Sequence, residues 1–194
     1  MDRGPADLHN TTMQIWGSLV RDWRWPLWAA GLSFVILLIA HGFERFGNMP
    51  PCNLCLRQRE VYWALISMSL VGVFLWFVRP NPRFIAALNV LIGLVFITGA
   101  VVAGFHAGVE YGWWPAPEGC TAGAATDEIM GAILGETLDE GPLYAPGCTE
   151  PPWAFILSMA GWNMVLSLGL AGLSFLAART SHASHTAGMP GLAA

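Results

Sequence analysis

Cys52, Cys55, Cys120 and Cys148 are the residues of this chain whose type and spacing most readily do chemistry. Cys52-Asn53-Leu54-Cys55 is a pair three residues apart, a spacing that suits a zinc site, a structural disulfide or reversible thiol-disulfide exchange. Zinc asks for a second tight pair or nearby histidines. Cys120 and Cys148 lie far apart, in a segment over 108–152 that contains no histidine. A disulfide between residues three apart closes a very small ring, which constrains little of the unfolded chain and so stabilises little. Such rings are more often reactive than structural, and the neighbours favour redox activity. Pro50 and Pro51 precede the pair and a helix-length apolar stretch follows it. Cys55 is therefore expected in the first turn of a helix, where free N–H groups and the macrodipole stabilise a thiolate. Arg59, four residues further on, falls on the same helical face and adds a positive charge, while burial near hydrocarbon works against the anion. Arg57 points elsewhere and suits lipid headgroups.

The elements that must hold these residues follow from composition. Hydrophobic residues make up 55% of the chain and charged residues 11%, which takes it out of the range of soluble domains and into the membrane. The net charge of −4 is modest and the nine basic residues, all Arg, form no run, so nucleic acid is excluded as a partner. Four apolar stretches are long enough to span: roughly 26–43, 61–78, 84–105 and 153–178. Arg79-Pro80-Asn81-Pro82-Arg83 makes a tight turn between the second and third. The expected fold is an all-α membrane protein, a bundle of four transmembrane helices with a long periplasmic loop between helices 3 and 4. The segments are 1–25, cytoplasmic and partly amphipathic; 26–178, the membrane domain with its loop over about 108–152; and 179–194, a cytoplasmic tail.

Orientation comes from the arginines. Arg3, Arg21, Arg24, Arg79, Arg83 and Arg179 share one side, and the long loop has no Arg or Lys, so both termini are expected in the cytoplasm. All four cysteines then fall on the opposite side, where bacterial disulfides persist. Arg45, Arg57 and Arg59 break the rule beside the first cysteine pair. His106 sits near the outer end of the third span, at about the depth of Cys55 and Arg59. As a lone histidine it suits an interfacial hydrogen bond; as an ionisable group at membrane depth it suits function. Glu110 shares its face if the helix continues and can then relay protons. In the loop, Gly119, Gly123, Gly141 and Gly147 favour mobility, and Asp127 to Asp139 carries an apolar stripe that fits a helix on the bilayer or on the bundle top.

Met49-Pro-Pro-Cys-Asn-Leu-Cys-Leu-Arg-Gln-Arg59 closely resembles the signature of the DsbB disulfide-bond-formation proteins. Phe105-His-Ala-Gly-Val-Glu-Tyr-Gly-Trp-Trp-Pro115, the second cysteine pair, Pro152-Trp153 and Ser158-Met-Ala-Gly-Trp-Asn163 extend the likeness over roughly 26–178. The resemblance implies an enzyme of the bacterial inner membrane. Its loop cysteines oxidise a soluble thioredoxin-fold protein of the DsbA type, and its other pair hands electrons to ubiquinone or menaquinone, the established route by which the periplasm is kept oxidising. By resemblance, Cys120 forms the mixed disulfide with the partner, Cys148 exchanges with Cys52, and Cys55 is the thiolate that meets the quinone, with Arg59 beside it. His106 then donates a hydrogen bond or proton at the quinone, and Met159 lines its pocket. No metal is implied. Four cysteines permit three connectivities, and the residues alone do not choose. Asn53 is polar where the family pattern leads one to expect an apolar residue, and the loop is rich in acid, which steers a positively charged partner face.

Three other readings stand beside this one. A membrane scaffold with purely structural disulfides explains the topology but not the Cys52/Cys55 spacing with Arg59. A haem carrier would use His41 and His106 as axial ligands. A vitamin K epoxide reductase-like enzyme shares the redox logic, but its cysteine pair belongs to a different arrangement along the chain.

Overall fold

The computed structural model describes residues 23–118, 120, 147–149, 151 and 154–187. The expected amphipathic segment ahead of the first span, the striped segment over 127–139 and Gly119, Gly123 and Gly141 lie outside the described residues. Four helices carry the chain: α1 Arg24–Phe46, α2 Asn53–Val78, α3 Pro82–Glu110 and α4 Met159–Ala187. A two-residue antiparallel pair, β1 Ala154–Phe155 and β2 Leu157–Ser158, precedes α4. Each helix contains a stretch long and apolar enough to cross a membrane. Large apolar side chains such as Phe74, Phe77, Val101 and Leu168 stay exposed, as suits helices that face hydrocarbon rather than water. α3 is the most enclosed, with 50% of its most apolar window buried against 28% in each of the others. It is the helix that carries His106 and Glu110.

The helix starts explain where the expected spans shift. α2 begins at Asn53, eight residues before the apolar stretch at Val61, because Cys52 caps it: Sγ accepts the Cys55 N–H at 3.2 Å. α3 opens on Pro82 after Asn81, whose Oδ1 accepts the Arg83 N–H at 3.0 Å. α4 begins at Met159 rather than Trp153. The chain first reverses between β1 and β2 at Ile156, held at a φ of 64°, a conformation that a β-branched residue rarely adopts. Ser158 Oγ then accepts the Gly161 N–H at 3.1 Å and caps the helix. α3 runs on to Glu110, one turn past His106.

The chain divides into two compact units, one of residues 1–35, 63–97 and 168–194 and the other of 36–62 and 98–167. In the first, Trp25 Nε1–H donates to Ser174 Oγ at 3.0 Å, tying α1 to α4. Leu88 packs over Gly72, where a Cβ would meet its Cδ2 at 2.2 Å, and Phe175 packs over Gly93. Small residues let apolar helices approach where no hydrophobic drive exists between them. Leu65, Ile85, Ile92 and Phe96 fill this unit's core.

In the second unit the Met164 Sδ lies against Gly104 and Val61 against Gly99. α3 ends as Gly112 turns to a φ of 70° and the Trp113 N–H reaches back to the Gly108 carbonyl at 2.8 Å, a left-handed helix stop. Trp114 folds back over Gly108, donates to the Phe105 carbonyl at 2.9 Å and stacks on the Phe105 ring. The Tyr111 hydroxyl accepts the Ser158 N–H at 3.1 Å, which fastens the loop's departure to its return.

Candidate active site

Cys52 at the cap of α2 and Cys55 in its first turn are both free, with sulfurs 2.8 Å apart. Only a small further approach would close a disulfide. α3 supplies His106, 3% exposed, whose Nε2 lies 3.6 Å from Cys52 Sγ. Its Nδ1 lies 2.7 Å from Gln58 Nε2. An amide N–H directed at Nδ1 leaves the ring proton on Nε2, aimed at the sulfur.

The same polarity continues through the unit. Asn163 Nδ2 donates to Gln58 Oε1 at 2.5 Å, the Tyr62 hydroxyl donates to Asn163 Oδ1, and Ser167 Oγ lies 3.2 Å from the Tyr62 oxygen. Every donor from Tyr62 to His106 points toward Cys52. Gln, Asn, Tyr and Ser each both donate and accept, so the series can also reverse as a whole. Reversal places the ring proton on Nδ1 and leaves Nε2 free to take a proton from a thiol.

These contacts favour one sulfur of the reduced pair as the anion. Either thiol can donate to the other, but the Cys55 N–H and the His106 ring both meet Cys52, so the Cys55 S–H donates to it as well. The hydrogen bond from Cys55, then those with His106, hold the Cys52 thiol well below the ordinary range, against the opposing effect of burial. From the residues in order, the helix N–H groups are expected to serve Cys55. The two prolines instead set the cap one turn earlier, at Cys52.

Arg59 lines the same cavity as Cys55, but its guanidinium is engaged by α1, with Nη1 2.5 Å from Glu44 Oε2 and Nη2 donating to the Ala40 carbonyl at 3.3 Å. Arg57 pairs with Glu60 at 3.0 Å on the exposed face. Glu110 follows His106 by one turn, its Oε1 3.7 Å from Nε2; its Oε2 is buried and has no hydrogen-bond partner among the described residues. A cavity of about 230 Å³ opens here. Cys55, Gln58, Arg59, His106 and Glu110 supply its polar wall, and Met159, with Leu37, Phe43, Trp162 and Leu166, part of its apolar wall.

The loop cysteines reach the same place. Cys120 and Cys148 form a disulfide across 28 residues, and the Cys148 N–H donates to the Cys120 carbonyl at 3.0 Å. Both are buried in one cluster with Cys52 and Val109, against which Cys55, Leu54 and Ala116 pack. Of the three possible connectivities, the structure holds this one with the other pair reduced. His41, by contrast, is exposed, bonds to its own helix at the Leu37 carbonyl and does not line the cavity, so it is not set opposite His106 there. The loop holds no histidine to complete a zinc site with the Cys52/Cys55 pair; α3 provides one instead. The ligand atoms of Cys52, Cys55 and His106 all lie within 4.8 Å of one another.

Gln58, Tyr62 and Asn163 were missed as site residues by sequence reasoning. Their signal was present: Gln58 and Tyr62 follow Cys55 at helical spacing, and each of the three is a polar residue in or beside an apolar stretch, where such residues carry a functional expectation.

Comparison with known proteins places the chain in a family. The family model described as "Disulfide bond formation protein DsbB" matches residues 22–177. Disulfide bond formation protein B of Alkalilimnicola ehrlichii is 28% identical over 172 residues, covering 80% of this chain and 97% of that one. The protein of the same name from Methylococcus capsulatus is 28% identical over 150 residues, covering 75% of this chain and 88% of its own. No solved structure shows significant similarity to the chain. Four apolar helices that carry a CxxC pair and a loop disulfide define a membrane disulfide-forming oxidoreductase. The chain belongs to the DsbB family of disulfide bond formation proteins.

Proposed function

We propose that the chain is a thiol:quinone oxidoreductase of the bacterial inner membrane, with both termini cytoplasmic and the cysteines periplasmic, that reoxidises a DsbA-like dithiol protein and passes the electrons to ubiquinone or menaquinone. The observation that carries this reading is the packing of all four cysteines in one cluster, with Cys55 also on the wall of the cavity. The cluster supports exchange between the pairs, and the cavity supports transfer out of them.

The steps balance as follows. A thiolate of the partner attacks Cys120 and releases Cys148; the partner's second thiol attacks the mixed disulfide, and the partner leaves oxidised. Cys148 attacks Cys52 of a Cys52–Cys55 disulfide and releases Cys55. Cys120 then attacks Cys148, which restores the loop disulfide and leaves Cys52 and Cys55 reduced. This is the combination of bonds described above. Two electrons and two protons remain to be removed from the pair.

A quinone, when bound, supplies an acceptor for those two electrons and two protons. The residues present fit such a group: the walls are largely apolar, a reactive sulfur opens onto the space, and the buried Glu110 Oε2 has no hydrogen-bond partner among the described residues. Cys55 presents its sulfur to the cavity. Gln58 holds the His106 ring, and Nε2 carries or takes the proton exchanged with Cys52. Glu110 offers a second buried proton site beside the same nitrogen. Arg59, fixed by Glu44, places a positive charge on the cavity wall, and Met159 contributes to its apolar side.

The test is quinone reduction by the purified chain in detergent, driven by a reduced DsbA-like partner, in the wild type and in Cys55→Ser. Turnover lost in the variant is the expected result. Equal turnover in both overturns the route through Cys55, and none in a folded wild type across several partners and quinones overturns the reading in favour of a scaffold.

A further inference from the structure

We propose that the reduced Cys52/Cys55 pair and His106 form a binding site for a thiophilic divalent cation, zinc in particular, which occupies the pair while it is reduced and is expelled when the pair is oxidised. The blocking of turnover that follows rests on the function proposed above; the binding itself does not.

Two thiols and an imidazole nitrogen lie within 4.8 Å of one another and are largely buried, the Cys2His combination that zinc accepts with one position left open. Zinc lies about 2.3 Å from sulfur and about 2.0–2.1 Å from nitrogen in such sites, so tetrahedral donors stand roughly 3.5–3.8 Å apart. The Cys52 Sγ and His106 Nε2 already do, at 3.6 Å. The two sulfurs, at 2.8 Å, need only spread, which rotation about the Cys55 side chain allows.

Binding displaces the remaining thiol proton, Zn²⁺ plus the Cys52 thiolate, the Cys55 thiol and an imidazole giving a Zn(S–R)₂(imidazole) centre and one H⁺. The centre is neutral, so its burial at the edge of an apolar bundle carries none of the cost of an unpaired ion. A bound Nε2 must have its proton on Nδ1. Gln58 meets that need by presenting Oε1, the reversed polarity that Asn163 and Tyr62 can follow, and so becomes the outer partner that orients a metal-bound histidine.

The fourth position is open. Three protein ligands leave it to water or an added ligand; Glu110, whose Oε1 stands 3.7 Å from the same Nε2, lies beside the centre and is not one of its ligands. The Cys120–Cys148 disulfide cannot compete for the ion, since a disulfide offers no thiolate. The same fact makes the site depend on redox state.

The experiment uses the full chain in detergent and the metal alone, with neither quinone nor partner. The phosphine-reduced protein, as wild type and with Cys120→Ser and Cys148→Ser combined, is titrated with Zn²⁺ against a chromogenic chelator and with Co²⁺ by absorption. Both proteins are expected to hold one ion per chain tightly, with the thiolate-to-cobalt charge-transfer band and visible bands of a tetrahedral site. Cys52→Ser is expected to abolish that band, His106→Gln to weaken zinc binding at least tenfold, and Gln58→Leu to weaken it about 10- to 100-fold. Air oxidation should release the ion. A reduced wild type that binds no zinc although both thiols of the pair alkylate normally overturns the proposal. So does binding that His106→Gln and Cys52→Ser leave unchanged, which marks an adventitious ion only. Quinone reduction by zinc-free protein is measured separately, so failure of the metal site and failure of the proposed reaction are told apart.

Discussion

His106 Nε2 stands 3.6 Å from Cys52 Sγ, while Nδ1 of the same ring is held 2.7 Å from Gln58 Nε2. One histidine thus joins a helix-capping sulfur to a line of polar side chains running back through α2 and α4.

Removing the ring should weaken the Cys52 thiolate. In His106→Leu the pH of half-maximal alkylation of Cys52, measured with the loop cysteines replaced by serine, is expected to rise by about one unit. The Cys52 thiol lies below its ordinary range in the folded protein, so its charge stabilises the folded, reduced form above that ordinary range. This contribution is lost as pH falls through the depressed value. Loss of the thiolate favours the disulfide at neutral pH, so the potential of the pair should fall by about 30 mV for a one-unit rise. An unchanged alkylation profile would remove His106 from this role.

Gln58, Asn163 and Tyr62 should act in order of distance from the ring. The alkylation midpoint is expected to rise most in Gln58→Leu, by about 0.5–1 unit, less in Asn163→Leu and least in Tyr62→Phe, since each step is carried by one hydrogen bond. A purely structural role predicts loss of thermal stability in all three without a graded movement of this midpoint. That pattern would refute the series.

The Arg59 fork should couple to Glu44. A double-mutant cycle of Arg59→Ala and Glu44→Ala, read by thermal unfolding in detergent, is expected to give about 0.5–1 kcal/mol, because the carboxylate is partly exposed. Arg59→Lys should recover little of the loss, since an ammonium cannot span both Glu44 and the Ala40 carbonyl as the guanidinium does. Full recovery by lysine would mean that only charge matters here.

Gly108→Ala should displace Trp114. A Cβ there would meet ring atoms at 2.0–2.6 Å, and Trp114 also holds the Phe105 carbonyl. The expected cost is about 1–3 kcal/mol in unfolding, with a change in tryptophan emission. An unaltered spectrum and melting point would show that the turn after α3 shifts freely.

Much of this protein could be read from its residues in order. Four apolar stretches and the double proline between the second and third define the helices, and Pro50-Pro51 before a CxxC pair locates the reactive sulfurs at a helix start. These are local properties: a run of hydropathy is as long as a membrane is thick, and a proline ends a helix wherever it stands. Family motifs then tied His106, Arg59 and Met159 to the same site.

Tertiary structure decided the partners. It chose Cys120 with Cys148, gave the capping N–H to Cys52 rather than Cys55, turned Arg59 to Glu44, and started α4 after a reversal at Ile156. The physical reason is that each of these depends on how helices are rotated against one another or on where a loop returns. Tyr62 and Asn163 are 101 residues apart in the chain and share a hydrogen bond. Periodicity along a single helix names the face a residue occupies, but the side chain that meets it belongs to another helix.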